Sequence, residues 1–105
     1  MPDSEPTPAP PIPFGNLCQL LGTWQRWVIL KELAKGEPLP ATVIARLINT
    51  SRDATSKQLA FMKKLGGIVQ VHGRCYKLAP AIRPAPGTMT LDFGLCVLRL
   101  DRPLE

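Results

Sequence analysis

The chain has 105 residues, 45% of them hydrophobic, with 12 prolines and a formal net charge of +5; that length makes one domain at most. No apolar run approaches the roughly 18 residues of a membrane span, and the start of the chain lacks a basic-then-apolar signal pattern, so the expected location is cytoplasmic. Three widely spaced cysteines, Cys18, Cys75 and Cys96, argue against a disulfide framework and fit a reducing compartment.

The charge is unevenly placed. Residues 1 to 21 carry Asp3 and Glu5 and no base, residues 22 to 78 carry ten bases against Glu32, Glu37 and Asp53, and the remainder balances. A positive excess confined to the middle of a chain is the electrostatic footprint of a nucleic-acid binder. An ordinary solvated basic face is the alternative.

Residues 1 to 15, with six prolines in the first thirteen positions, favour extended, solvated conformations and read as a disordered tail. From Asn16 to about Lys35 the pattern turns helical. Leu17, Leu20, Leu21, Trp24 and Val28 form one stripe and Trp27, Leu30 and Leu33 a second, with Gly22 placed to divide a short leading helix from a longer one. So wide an apolar arc needs cover, either from the chain's own C-terminal segment or from a second subunit.

Gly36 to Pro40 ends that helix, and Pro40 suits the first turn of the next. Residues 41 to 65 then predict two short helices around a tight polar turn. Val43 with Leu47, and Ile44 with Ile48, lie one turn apart on the first. Asn49 suits its C-terminus, since Asn tolerates a left-handed backbone, and Ser51 suits the N-cap of the second helix, with Asp53 in its first turn. Thr55, Leu59 and Met62 fall on the side that can bury; Arg52, Asp53, Ser56, Lys57 and Lys63 fall largely on the other. That arrangement is a helix-turn-helix.

Gly66 and Gly67 stop the second helix. Residues 68 to 71 and 75 to 78, rich in β-branched and aromatic side chains around a His72-Gly73-Arg74 tip, predict a β-hairpin, which directly after a recognition helix is a wing. Arg74 at the tip and Lys77 on the return strand are candidates for phosphate contacts. Pro80, Pro84, Pro86 and Gly87 predict a loop. Residues 88 to 100 read as a single strand, bulged at Gly94, with Leu91, Phe93, Leu95 and Val97 on one face. The expected fold is therefore mainly α with a small β wing (α+β), a winged helix-turn-helix over residues 16–79 followed by a loop and a C-terminal strand over 80–105.

The run Leu21-Gly22-Thr23-Trp24-Gln25-Arg26-Trp27-Val28-Ile29-Leu30-Lys31-Glu32-Leu33 resembles the first core helix of bacterial ArsR-like winged-helix repressors. Thr50 to Leu59 is similar to that family's turn and recognition helix, and Gly73 to Leu78 to its second wing strand, so the resemblance covers about residues 20 to 79. It implies a transcriptional regulator whose base-reading and phosphate-contacting positions fall on Arg52, Asp53, Ser56 and Lys57, with Arg74 in the wing. The chain departs from the family in three ways. The helix that carries the family's sensing thiolates has no Cys or His here, the C-terminal helix is replaced by a Pro-rich loop and a strand, and Trp24 stands where the family often has Pro. Neither a metal nor a cofactor is implied.

The expected function is duplex-DNA binding by a homodimer at the nucleoid, through Arg52, Asp53, Ser56, Lys57, Lys63, Arg74 and Lys77, with Leu17, Leu20, Trp24, Val28, Phe93 and Leu95 at the dimer interface. A winged helix serving as a protein-interaction module is the second reading, favoured by Asp53 and the unusual C-terminus. Catalysis is not expected, because the sole histidine sits at a hairpin tip, no Gly-rich phosphate loop exists and the carboxylates are scattered. No small-molecule substrate and no membrane partner is implied.

Overall fold

The structure, a computed structural model, describes residues 12–84 and 88–100. It is a small α+β domain, compatible with a winged helix. In chain order it runs α1 (Phe14–Leu20), α2 (Trp24–Leu33), β1 (Leu39–Pro40), α3 (Ala41–Leu47), α4 (Arg52–Leu65), β2 (Ile68–Val71), β3 (Cys75–Leu78), β4 (Thr90–Asp92) and β5 (Val97–Arg99). The first three strands form an antiparallel sheet in the order β1-β3-β2, and β4 and β5 form a separate hairpin.

Local chemistry sets the helix ends. Thr23 caps α2 by accepting from the Arg26 N–H at 3.2 Å, and Ser51 caps α4 by accepting from the Ala54 N–H at 3.1 Å, each satisfying one of the first-turn donors a helix leaves open. α3 ends on a left-handed Asn49 (φ 54°). Thr50 N–H then donates to Ala45 O at 3.1 Å and Asn49 N–H to Arg46 O at 3.3 Å, the reciprocal pair of a Schellman closure. α4 closes the same way: Gly66 (φ 94°) supplies the left-handed residue, with Gly67 N–H bonded to Met62 O and Gly66 N–H to Lys63 O, both at 3.1 Å.

The core lies where the helices meet the inner face of the sheet. Leu20, Ile29, Leu30, Ile44, Ile48, Leu59, Met62, Ile68 and Leu78 are all buried in one cluster, each worth about 1.5–3 kcal/mol relative to exposure. Thr55 is buried as well, and its hydroxyl donates to Ser51 O at 2.8 Å. Asn16 Nδ2 donates to Leu65 O at 3.4 Å, tying α1 to the end of α4.

The structure differs from the sequence reading at four places. Residues 12 to 15 are not tail: Ile12 is buried in the core and α1 begins at Phe14, while residues 1–11 lie outside the described residues. Ile12 precedes the N-cap Pro13, and Leu17 is the fourth helical residue; both join the core, the placement of a hydrophobic staple. Pro40 is the N-cap of α3, one residue earlier than expected, and with Leu39 it pairs against Cys75 and Tyr76 of β3, so the segment read as a linker adds a strand.

Residues 88 to 100 form two strands, not one. Asp92 Oδ1 accepts from the Gly94 N–H at 2.8 Å, Gly94 takes φ 81°, and the Phe93 N–H donates to Cys96 O at 2.9 Å. That Asx-turn with glycine reverses the chain. Leu91 then pairs with Leu98 and Asp92 with Val97, which breaks the expected common face: Leu91 and Phe93 are buried, whereas Leu95 and Val97 are exposed. Finally, Leu47 is exposed, so the apolar stripe of α3 is carried by Ile44, Ala45 and Ile48. No described helix is long and apolar enough to cross a membrane.

Candidate nucleic-acid interface

α4 presents its polar side outward. At 100° per residue, the buried Thr55, Leu59, Met62 and Leu65 occupy one arc, and Asp53, Ala60 and Lys64 lie along the middle of the opposite arc. Arg52, Ser56 and Lys63 flank that midline toward the sheet, whereas Lys57 flanks it toward α2. All seven of these non-buried positions are exposed.

On the sheet side, Arg52 and Ser56 line a concavity of about 290 Å³ together with Pro40, Ala41, Thr42, Gln70, Gly73, Arg74 and Tyr76. Two features of the fold place Arg74 there. The hairpin returns with Val71 opposite Cys75, leaving His72 to Arg74 as its tip, and both Gly73 (φ 71°) and Arg74 (φ 62°) are left-handed. For a branched or long side chain that backbone costs roughly 1–2 kcal/mol, and strain of this kind concentrates where it serves a site. Lys63 Nζ donates to Gln70 Oε1 at 3.4 Å on the same flank.

Lys77 does not join this group. Side chains alternate along a strand, so Lys77 points to the opposite face of β3 from Tyr76. It lines a different concavity with Leu33, Ala34, Gly36 and Arg83. Lys57 lines a third, of about 330 Å³, with Gln25, Arg26, Ile48, Thr50, Ala54, Gln58 and Phe61. Thus Arg52, Ser56 and Arg74 converge, Asp53 sits at the centre of the exposed arc, and Lys57 stands on the far side of the same helix.

The basic character of the surface is uncompensated. Among the described residues, Lys35 alone of the ten bases in residues 22–78 meets a carboxylate, that of Glu32 at 3.1 Å. Among the described residues the outer arc of α4 stays exposed, and Thr88, Met89 and Leu100, which flank the C-terminal hairpin, line a concavity with Lys31, Ala34 and Lys35 at the end of α2. Of the residues assigned to a dimer interface, Leu17, Leu20 and Phe93 are buried in the chain's own core; Val28 is half-buried, and Trp24 and Leu95 are exposed. The first three therefore cannot meet a second subunit while the core is intact.

Sequence reasoning assigned no role to Gln25, Arg26, Thr50, Gln58, Gln70 or Tyr76. Arg26 bonds through Nε to Gln58 Oε1 at 2.7 Å and through Nη1 to Gln19 O, and its guanidinium lies over the Phe61 ring, 4.7 Å from the centroid. Gln58 Nε2 in turn donates to Gln25 Oε1 at 3.2 Å. This network binds α4 to α1 and α2. Its members stand 32 or more residues apart in most pairs, beyond any local pattern.

The described residues hold no three His, Cys, Asp or Glu side chains grouped to bind a metal. Comparison of the chain with protein-family models, with curated proteins and with solved structures gave no match in any of the three.

Proposed function

We propose that the domain is a winged helix that binds duplex DNA, with α4 as recognition helix in the major groove and the β2–β3 hairpin as wing. One observation carries this reading: an exposed helix bearing Arg52 and Ser56 shares a concavity with Arg74 on a surface whose bases meet no carboxylate among the described residues. The groove, about 12 Å wide, admits a helix, and Arg or Lys pairs with guanine acceptors while Ser bonds base or phosphate. Asp53, on the midline, is placed to accept from a cytosine amino group. The resemblance to ArsR-like regulators supports the same assignment. A homodimer would set two such helices on half-sites about one DNA turn apart, using surface that includes Trp24, Leu95 and the accessible part of Val28.

Affinity then comes chiefly from phosphate neutralisation. With four to six such contacts, log affinity falls against log salt with a slope of about −4 to −5. Fluorescence anisotropy on a duplex of mixed sequence at graded salt measures it. Reversing charge at Arg52 and Lys57 together is expected to abolish binding while thermal unfolding stays as in wild type, since both side chains are exposed. Salt-independent binding, or a double variant that binds unchanged, would defeat the assignment.

A protein-interaction module is the second reading, and the exposed large hydrophobics favour it: Phe14, Trp24, Leu47, Met89, Leu95 and Val97. It expects the same charge reversal to leave partner capture intact.

A further inference from the structure

We infer that the concavity between α2 and α4 is a second phosphate site, so that α4 is gripped by the DNA backbone on both of its flanks. The inference rests on the duplex-DNA reading, which already uses Lys57, and adds Gln25, Arg26, Thr50 and Gln58 to it. Arg26, Thr50 and Lys57 line the concavity with Gln25 and Gln58, and no carboxylate does.

Most of its donors are unspent. A guanidinium carries five N–H groups; Arg26 commits two, to Gln58 and to Gln19 O. Gln25 accepts from Gln58 through its carbonyl oxygen, which leaves its amide N–H groups open. Among the described residues, Lys57 and the Thr50 hydroxyl meet no hydrogen-bond or ion-pair partner. A set of donors with two cations, of which Arg26 is held in place, and no carboxylate suits an oxyanion, and guanidinium and ammonium groups bind phosphate most strongly among side chains. The Gln58 bond and the Phe61 ring hold the Arg26 guanidinium in place before any ligand arrives, which lowers the entropy lost on binding.

Position completes the argument. Lys57 lies about 140° around the helix axis from Arg52, so the Arg26–Lys57 cations and the Arg52–Arg74 cations flank α4 on opposite sides. A helix with side chains is about 10–12 Å across, close to the width of the B-form major groove. The two cationic flanks therefore face the two sugar-phosphate strands that border one groove. A-form RNA, whose major groove is deep and narrow, and single strands offer no such pair of borders.

Full-length Lys57→Gln and Thr50→Val variants, with Arg74→Gln as reference, test this by anisotropy on a mixed-sequence 20-base-pair duplex at graded salt, joined to phosphate-ethylation interference. Lys57→Gln is expected to reduce the salt slope by about 0.9, the value of one phosphate contact, and to erase interference on one strand. Arg74→Gln is expected to reduce the slope similarly and erase interference on the other strand. Thr50→Val is expected to weaken binding without changing the slope. If Lys57→Gln and Thr50→Val both bind as wild type while Arg74→Gln loses a contact, the second site is refuted and the DNA reading stands. If the wild-type chain shows no salt-dependent duplex binding, both fall.

Discussion

Arg74 combines a cost with a charge. Its left-handed backbone at the hairpin tip is strained for a long side chain, yet Arg74 lines the same concavity as Arg52 and Ser56. Glycine adopts the same backbone freely. Arg74→Gly is therefore expected to leave the unfolding midpoint unchanged or to raise it, with a gain of up to about 1 kcal/mol, while, on the proposed DNA-binding reading, the salt slope falls by about 0.9. Thermal denaturation and anisotropy on the same preparation separate the two effects. A variant that loses stability in step with affinity would make Arg74 a structural residue of the turn. The two glycines that end α4 likewise act for different reasons. Gly66 supplies a left-handed φ of 94°, whereas Gly67 supplies space, because a methyl group there would lie 2.8 Å from Leu20 Cδ1. Gly67→Ala is expected to cost about 1–3 kcal/mol by overpacking. The cost should shrink in a Leu20→Ala background, and denaturant unfolding of the four proteins in that double-mutant cycle measures the coupling.

Among the elements, α4 is held by its termini, its inner face and one lateral clamp. The Ser51 cap and the Schellman closure at Gly66 fix its length, and Leu59, Met62 and Leu65 fix its depth. Arg26, bonded to Gln58 and Gln19 and stacked on Phe61, fixes its rotation against α1 and α2. Ser51→Ala is expected to destabilise by about 1 kcal/mol, the usual value of a lost cap, read by urea denaturation. An unchanged midpoint would mean that tertiary contacts alone hold the first turn.

For the molecule as a whole, the C-terminal hairpin matters to stability and stands apart from α4. Leu91, Phe93 and Leu100 enter the common core beside residues of all four helices, so the hairpin closes the domain. Phe93→Ala is expected to cost about 3–5 kcal/mol, a large share of the stability of so small a domain. Circular dichroism on heating should show a lower, broader transition. If the proposed duplex-DNA binding holds, folded protein at low temperature should keep its affinity, because the outer arc of α4 is exposed without help from Phe93. Loss of affinity in a still-folded variant would instead link the hairpin to binding, for example through a dimer that uses Leu95.

The sequence by itself determined whatever depends on neighbours within one or two helical turns. The apolar spacing of residues 41 to 65, the capping chemistry of Ser51 and Asn49, the glycine stop after Leu65 and the hairpin at 68–78 were all legible, because each is enforced by bonds between residues close in the chain. The exposed placement of Arg52, Asp53, Ser56 and Lys57 follows from the same periodicity. Tertiary structure decided the rest. Leu39 and Pro40 are too short a run to announce a strand, and they become one only because β3 offers them an edge. Ile12 stands alone among prolines and is buried by what α1 and α4 bring to it, although its offset from Leu17 was a readable signal. Asp92 and Gly94 were readable as a turn, but the alternation on either side hid them. Lys77 turned away from Arg74 because strand register, not charge, chooses the face a side chain takes. Arg26 joined α4 because packing brings together residues that no local period relates.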